Sequence, residues 1–377
     1  MSTSDLPWAD GLRLRPAEAV AAGHPDKICD AIADGIVELA VRREPRALVG
    51  VEVAVHRGMV FVTGRVAGAG IRMGDIETVV RDRFARLGHG AGWPPDPDAL
   101  GIVCDLDVGP LLPGEADFRE VSDDQSICTG YAVDSPSTGW LPPEHWLARR
   151  IVRGLEALRS EAPELALGPD AKAAVLAAER PGRPMGIEAA TVSLQQAIGG
   201  DEIATRRAVV AVVRSALAGA PPAFEIPADL AERILVNGAG NFECGGPMGD
   251  NGLSGKKLVV DAYGPRVPIG GGALSGKDFF KVDRAGAIAA RRLALAIVRC
   301  GGAGAATVEL LWRPGDREAS VVAVTDPAGD AIDHRRWTGV VDLSLRDSGN
   351  RWPRLVVGGL ARLATDGHFG GDQPWEA

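Results

Sequence analysis

Only six of the 41 basic residues are lysines: Lys27, Lys172, Lys256, Lys257, Lys277 and Lys281. All six fall in Gly-rich or Asp-rich motifs, while arginine is spread along the chain. A compact ammonium kept at such places suits phosphate oxygens; the plain alternative is chance clustering in a few loops. The densest stretch, Gly245 to Arg284, reads GGPMGDNGLSGKKLVVDAYGPRVPIGGGALSGKDFFKVDR. Glycine turns bring backbone amides up to phosphate, lysines neutralise it, and Asp250, Asp261, Asp278 and Asp283 orient lysines or hold Mg²⁺.

Gly271 to Asp278 satisfies GxxxxGK but places Asp278 where a nucleotide-binding P-loop needs a hydroxyl. It also follows Pro265 to Ile269 rather than a clean buried strand. The segment is therefore not read as a P-loop.

The elements that must carry these residues are visible as patterns. A loop, Gly23-His24-Pro25-Asp26-Lys27, opens a helix with Ile28, Ile32, Ile36 and Leu39 at helical spacing; Pro25 fits its start, and Asp26 and Asp30 its first turn. Alternating runs from Leu48 to Val55 and Met59 to Val66 form a hairpin about His56-Arg57-Gly58, and a helix spans about Asp75 to Leu87. Loops are expected at Gly92 to Pro97, Gly109 to Gly114 and Asp123-Asp124-Gln125, and a helix near Trp146 to Ser160. Pro221-Pro222 separates late helices of a second module. Leu258 to Tyr263 reads as a strand, and Val282 to Arg299 as a helix closed by Gly301-Gly302. Three modules mixing strands and helices follow, with boundaries at 1–113, 114–236 and 237–377.

The 377 residues are 46% hydrophobic with a net charge of −9. This supports a large core and speaks against general nucleic-acid or anionic-membrane binding, which needs a basic face. No apolar run reaches the ~20 residues of a membrane span, and the start MSTSDLPWADG lacks a signal-peptide pattern, so a cytoplasmic enzyme is expected. Cys29, Cys104, Cys128, Cys244 and Cys300 are scattered and odd in number, which argues for plain buried thiols rather than disulfides or zinc.

Five segments, GHPDKICDAIAD, DDQSICTGYA, PDAK, GGPMGDNGLSGKK and GGGALSGKDFFKVDR, resemble the signature segments of the S-adenosylmethionine synthetases. They occur in family order, and GHFGGDQPWE resembles that family's ending, so the likeness spans nearly the whole chain. It implies an α+β fold of three similar sheet-plus-helix domains about a pseudo-threefold axis, and a homodimer or homotetramer with active sites between subunits. It also implies adenosyl transfer from ATP to a sulfur nucleophile, most simply methionine. Loss of the whole tripolyphosphate would be stabilised electrostatically by Lys172, Lys256, Lys257, Lys277 and Lys281. By the same resemblance His24 donates to the triphosphate at the breaking bond, although alone it would read as a helix cap. Asp26 and Asp283 are the carboxylates for two Mg²⁺, and Glu52 is the ligand of one K⁺. Asp124, Asp170, Phe242, Asp250 and Ala273 hold the nucleoside or orient the site, and tripolyphosphate is then split to phosphate and pyrophosphate.

Departures gather on the acceptor side, where Arg65, Asp250 and Lys281 would meet the amino acid. Arg65 stands where the family has a glutamate for the methionine ammonium, a charge reversal. The gating loop has no clear counterpart in Leu106 to Gly114, and Trp312-Arg313-Pro314-Gly315 alters the acceptor wall. Lys256 and Asn241 replace arginines, and Ser126 a glycine. The alternatives left open are another sulfur acceptor, an ATP or tripolyphosphate hydrolase, and a non-catalytic regulatory paralogue.

Overall fold

The computed structural model describes residues 11–90, 92–219, 224–356, 358–371 and 373–377. The first ten residues and Pro221-Pro222, used above for the chain start and a module break, lie outside the described residues. In chain order the first elements are β1 (Arg13–Val20), α1 (Pro25–Arg43), β2 (Leu48–His56), β3 (Met59–Ala67), α2 (Met73–Arg86) and β4 (Gly101–Gly109). Next come β5 (Ser126–Val133), α3 (Pro143–Glu161), β6 (Leu167–Glu179), β7 (Gly186–Gln196), α4 (Glu202–Ala218) and β8 (Ile234–Val236). The last part holds β9 (Gly252–Leu253), α5 (Leu258–Asp261), α6 (Val282–Arg299), β10 (Ala305–Trp312) and β11 (Ser320–Thr325). Three short helices follow, α7 (Arg335–Thr338), α8 (Leu345–Arg351) and α9 (Leu360–Asp366).

The strands form three open sheets, ordered β4-β3-β2-β9, β1-β6-β7-β8 and β11-β10-β5. Each takes one strand from elsewhere in the chain. The first segment gives β1 to the middle sheet, the middle segment gives β5 to the last sheet, and the last gives β9 to the first. The donations run in one direction around the molecule.

One face of each sheet is covered by helices. The odd-numbered valines of β2, Val49 to Val55, pack with Val60 and Val62 of β3 against Ile28, Ile32 and Ile36 of α1, all 2% exposed or less. Helices α3 and α4 cover β6 and β7, and α6 covers β5 and β10. Helix α6 lies so close to β5 that a Cβ on Gly130 would run into the backbone of Ala290; glycine is what permits that approach. The other faces carry exposed apolar side chains: Phe61 (49% exposed), Leu235 (53%) and Ile127 (62%). Large apolar groups left on open sheet faces mark surfaces fit for association.

Most expected elements form where the pattern puts them. The hairpin turns at Arg57-Gly58 with His56 opposite Met59, and α6 ends at Cys300 before Gly301 at φ +70°. Leu258 to Tyr263 differs. Its start is the helical turn α5, because Asp261 N bonds Lys257 O at 2.9 Å and the Asp261 carboxylate is drawn to the buried Lys27 ammonium. Tertiary pairing here overrides the β-propensity of Val259 and Val260. The cysteines are all free; Cys29 and Cys128 are buried as expected, but Cys244 and Cys300 are exposed. No described helix is long and apolar enough to cross a membrane.

The end of the chain is tied in by one ion pair. Arg291 of α6, fully buried, donates Nε to Glu376 Oε1 at 2.7 Å, and Glu376 also accepts the Gly370 and Gly371 amides. Breaking one side of such a pair strands the other charge, so Glu376→Ala is expected to lower stability by about 3–5 kcal/mol. Denaturant titration reads this directly, and a loss below about 1 kcal/mol would show the pair to be peripheral.

Candidate active site

The first group of expected site residues gathers at the N-terminus of α1. His24 is its N-cap, 1% exposed, and its Nδ1 accepts the Asp26 N–H at 3.2 Å. Around the imidazole stand Lys172 and Asp170 from β6, Asp26 from α1, and Asp250 and Lys257 from the glycine-rich segment. Burial, with the Lys172 ammonium beside it, holds the His24 imidazole down at about 3. His24 is therefore neutral at physiological pH. Because Nδ1 accepts, the proton sits on Nε2, a buried donor with no hydrogen-bond partner among the described residues.

Asp26 is fully buried and is held from three sides. Leu253 N donates to Oδ1 at 3.0 Å, Lys257 Nζ lies 3.0 Å from Oδ2, and Lys256 Nζ 3.7 Å from Oδ1. Asp170 accepts Gly246 N at 2.8 Å, and burial pushes its carboxyl up to about 6. Phe242 is half-buried beside this group, its carbonyl accepting Gln196 N at 3.0 Å.

A second group lies along β2. Lys277 bridges Gly50, and its ammonium contacts Asp283 in the first turn of α6; Ser126 Oγ donates to the other Asp283 oxygen at 2.6 Å. Lys281 contacts Asp123. With Glu52, Thr63, Gly64 and Asp124 they line a cavity of about 280 Å³. Next to it an open cleft of about 820 Å³ runs between Asp124 to Ile127, Gly270 to Gly272 and Trp312-Arg313. Ala273 lies between the groups, its Cβ against Gly255.

The two groups sit at opposite ends of β2. Lys277 pairs with Gly50, whereas Leu253, which holds Asp26, pairs with Ala54, roughly 13 Å further along the strand at ~3.3 Å per residue. Among the described residues no ion pair joins one set of expected site residues to the other. Their cations and carboxylates thus form two half-lined surfaces within one chain.

Arg65 is brought to neither. Its Nε and Nη2 grip the two Glu115 oxygens at 2.7 and 2.8 Å, Nη1 lies 3.0 Å from Asp107, and Nη2 donates to Pro110 O at 2.9 Å. The Arg65 guanidinium holds the Glu115 carboxyl down at about 2. All three nitrogens are spent on β4 and the loop after it, so the charge reversal is neutralised on the spot.

Sequence reasoning missed the supporting acids and cations. Lys27 is no phosphate lysine: it is buried between Asp30, at 3.0 Å, and Asp261. Asp278 accepts Val49 N and Phe280 N and pairs with buried Arg119 at 3.0 Å, which leaves it no role toward a ligand. The signal available for Lys27 and Asp30 was an i, i+3 pair of opposite charges in the first turns of α1.

No three His, Cys, Asp or Glu side chains converge as a ready-made metal cage among the described residues. Each group has an acid in contact with lysine ammonium groups, Asp26 in the first and Asp283 in the second. A cation held by one or two carboxylates plus ligand phosphates suits such a donor set, as Mg²⁺ commonly is.

Three family models match in order: the N-terminal domain of S-adenosylmethionine synthetase over residues 13–94, its central domain over 119–242 and its C-terminal domain over 244–377. Similar proteins include the S-adenosylmethionine synthases of Rhodospirillum centenum, 34% identical over 94% of this chain and 92% of that one, and Trichormus variabilis, 34% identical over 96% and 94%. That of Corynebacterium diphtheriae is 33% identical over 98% of this chain and 95% of its own.

Proposed function

The chain belongs to the S-adenosylmethionine synthetase family, and from that premise we propose that it is a methionine adenosyltransferase whose complete site forms between two copies of the chain. The observation that carries the reading is the pair of half-lined cationic surfaces, one around His24 and one around Lys277. The exposed apolar faces of the sheets supply a surface on which copies can meet.

A methionine sulfur lone pair attacks C5′ of ATP, the S–C bond forms, and the C5′–O bond breaks with its electron pair leaving on tripolyphosphate. The thioether carries no proton, so no base is needed. The demand falls on stabilising charge on the leaving group, an electrostatic task. His24 Nε2–H, neutral and without a partner among the described residues, donates to the oxygen that departs from C5′. Lys172, Lys256 and Lys257 from one copy, and Lys277 and Lys281 from the other, line the phosphates. Asp124, Asp170, Phe242 and Ala273 bound the nucleoside, while Asp250 and Lys281 face the amino acid. Asp26 and Asp283 would each hold a Mg²⁺, which would supply positive charge against the phosphates; Glu52 would serve a K⁺. Water then attacks a terminal phosphorus of tripolyphosphate, a P–O bond to the rest breaks, and phosphate and pyrophosphate form beside the same lysines.

The Arg65–Glu115 clamp favours a second reading, a different sulfur acceptor in the same chemistry, because the wall beside Gly50 and Thr63 ends in a neutralised pair rather than a free carboxylate. Purified protein with ATP, Mg²⁺ and K⁺ should give S-adenosylmethionine, phosphate and pyrophosphate with methionine, read by mass spectrometry and ³¹P NMR. An adduct with another thioether and none with methionine would move the assignment to the second reading. ATP breakdown without an acceptor would replace both with a hydrolase.

A further inference from the structure

Helix α1 carries acids at four-residue intervals, Asp26, Asp30, Asp34 and Glu38, the first three fully buried and the last 7% exposed. That spacing stacks them on one helix face. A buried row of like charges is untenable unless each member is paired and hydrogen-bonded. Each is, and the partner includes a backbone amide from a segment more than two hundred residues away. Leu253 N donates to Asp26 at 3.0 Å, Gly255 N to Asp30 at 2.8 Å, Gly276 N to Asp34 at 2.9 Å and Gly358 N to Glu38 at 3.0 Å. Lys257, Lys27, Arg284 and Arg42 balance the charges in the same order.

The two middle rungs stand directly before the phosphate lysines. Gly255 precedes Lys256 and Lys257, and Gly276 precedes Lys277. Both glycines have left-handed φ, +76° and +86°, and a Cβ would strike Ala273 at the first and Val51 O at the second. Each turn therefore has one shape, and each has its amide pinned by a fully buried carboxylate.

We propose that Asp30 and Asp34 are positioning residues for adenosyl transfer, Asp30 setting the Lys256-Lys257 turn and Asp34 the Lys277 turn, so that one helix registers both half-sites. The catalytic part of this rests on the assignment of those lysines to the triphosphate; the structural part does not. The two rungs act separately, since Asp30 and Asp34 share no partner and their cations, Lys27 and Arg284, differ.

Hydrogen–deuterium exchange on the full-length protein separates the two. Asp34→Asn is expected to speed exchange about tenfold or more in a peptide covering 271–281 and leave 252–257 at the wild-type rate, and Asp30→Asn to do the reverse. In the adenosyl-transfer assay each variant should lose about 10²-fold in kcat, since a shift of about 1 Å in a charged group can cost that much. If Asp34→Asn is not recovered folded, Asp34→Glu keeps the charge opposite Arg284 while displacing its oxygens from Gly276 N, and the same split is expected. Both peptides loosening together, or neither, overturns the assignment of separate rungs. The expected exchange pattern with unchanged kcat overturns the positioning role alone, and a wild-type protein that adenosylates neither methionine nor another thioether removes the functional premise, while the exchange result still stands or falls.

Discussion

A Lys277→Met protein is expected to turn over about a hundredfold more slowly or worse, with its unfolding midpoint unchanged. The loop that carries the residue is not held by the ammonium. It is held by the Gly50 bridge, by Gly276 O accepting Val51 N at 2.9 Å and by Gly276 N on Asp34. The ammonium itself is 23% exposed and paired with Asp283, which keeps Ser126 Oγ when the lysine is gone. A single part-buried pair at the edge of a cavity, whose carboxylate keeps a second partner, contributes little to stability. Against a leaving group bearing several negative charges, however, one positioned cation lost from a water-poor site costs turnover heavily. Arginine is no substitute, because its wide planar head replaces a compact point charge. Turnover near that of the unaltered protein would remove Lys277 from the site.

His24→Asn and Lys277→Met are each expected to be inactive alone, yet to regain activity when mixed. The two residues belong to groups about 13 Å apart along β2. If each working site takes His24 from one copy and Lys277 from the other, a mixed dimer has one site with both defects and one with neither. Random exchange of subunits makes half of the dimers mixed, so about a quarter of the original activity should return. Denaturation and co-refolding, followed by the assay, reads this. Failure of any pair to recover would mean that each site is built within one chain.

Much of this arrangement was legible in the residues. The five glycine- and aspartate-rich segments marked the cationic surfaces, and the period-two valines of β2 and β3 announced the first hairpin. What stayed hidden was long-range. The β4 run GIVCDLDVG alternates like a strand but received no element from the sequence, and only its parallel pairing with β3 settles it. PDAK carried no sign of its secondary structure; it lies inside the thirteen-residue β6, where alternation turns Lys172 outward while Ala171 and Ala173 stay buried. Arg65 read as an acceptor contact because nothing local shows that Glu115, fifty residues later, will take it. Lys27 sat in the same motif as His24 and Asp26, but its partner Asp261 is set by tertiary packing alone.

The one-way loan of β1, β5 and β9 among the sheets has a consequence for how the protein comes apart. In a chain of this length, three segments with three cores would ordinarily melt as three beads on a string. Here each segment closes its neighbour's sheet, so detaching any one strips an edge strand from a second and leaves its own sheet short of a third's. The interlock behaves like a wooden burr puzzle, in which no piece slides out until all have loosened. Autonomy of any third of the chain is given up, and in exchange the α1 end and the Lys277 turn are held in one frame by pieces drawn from all three.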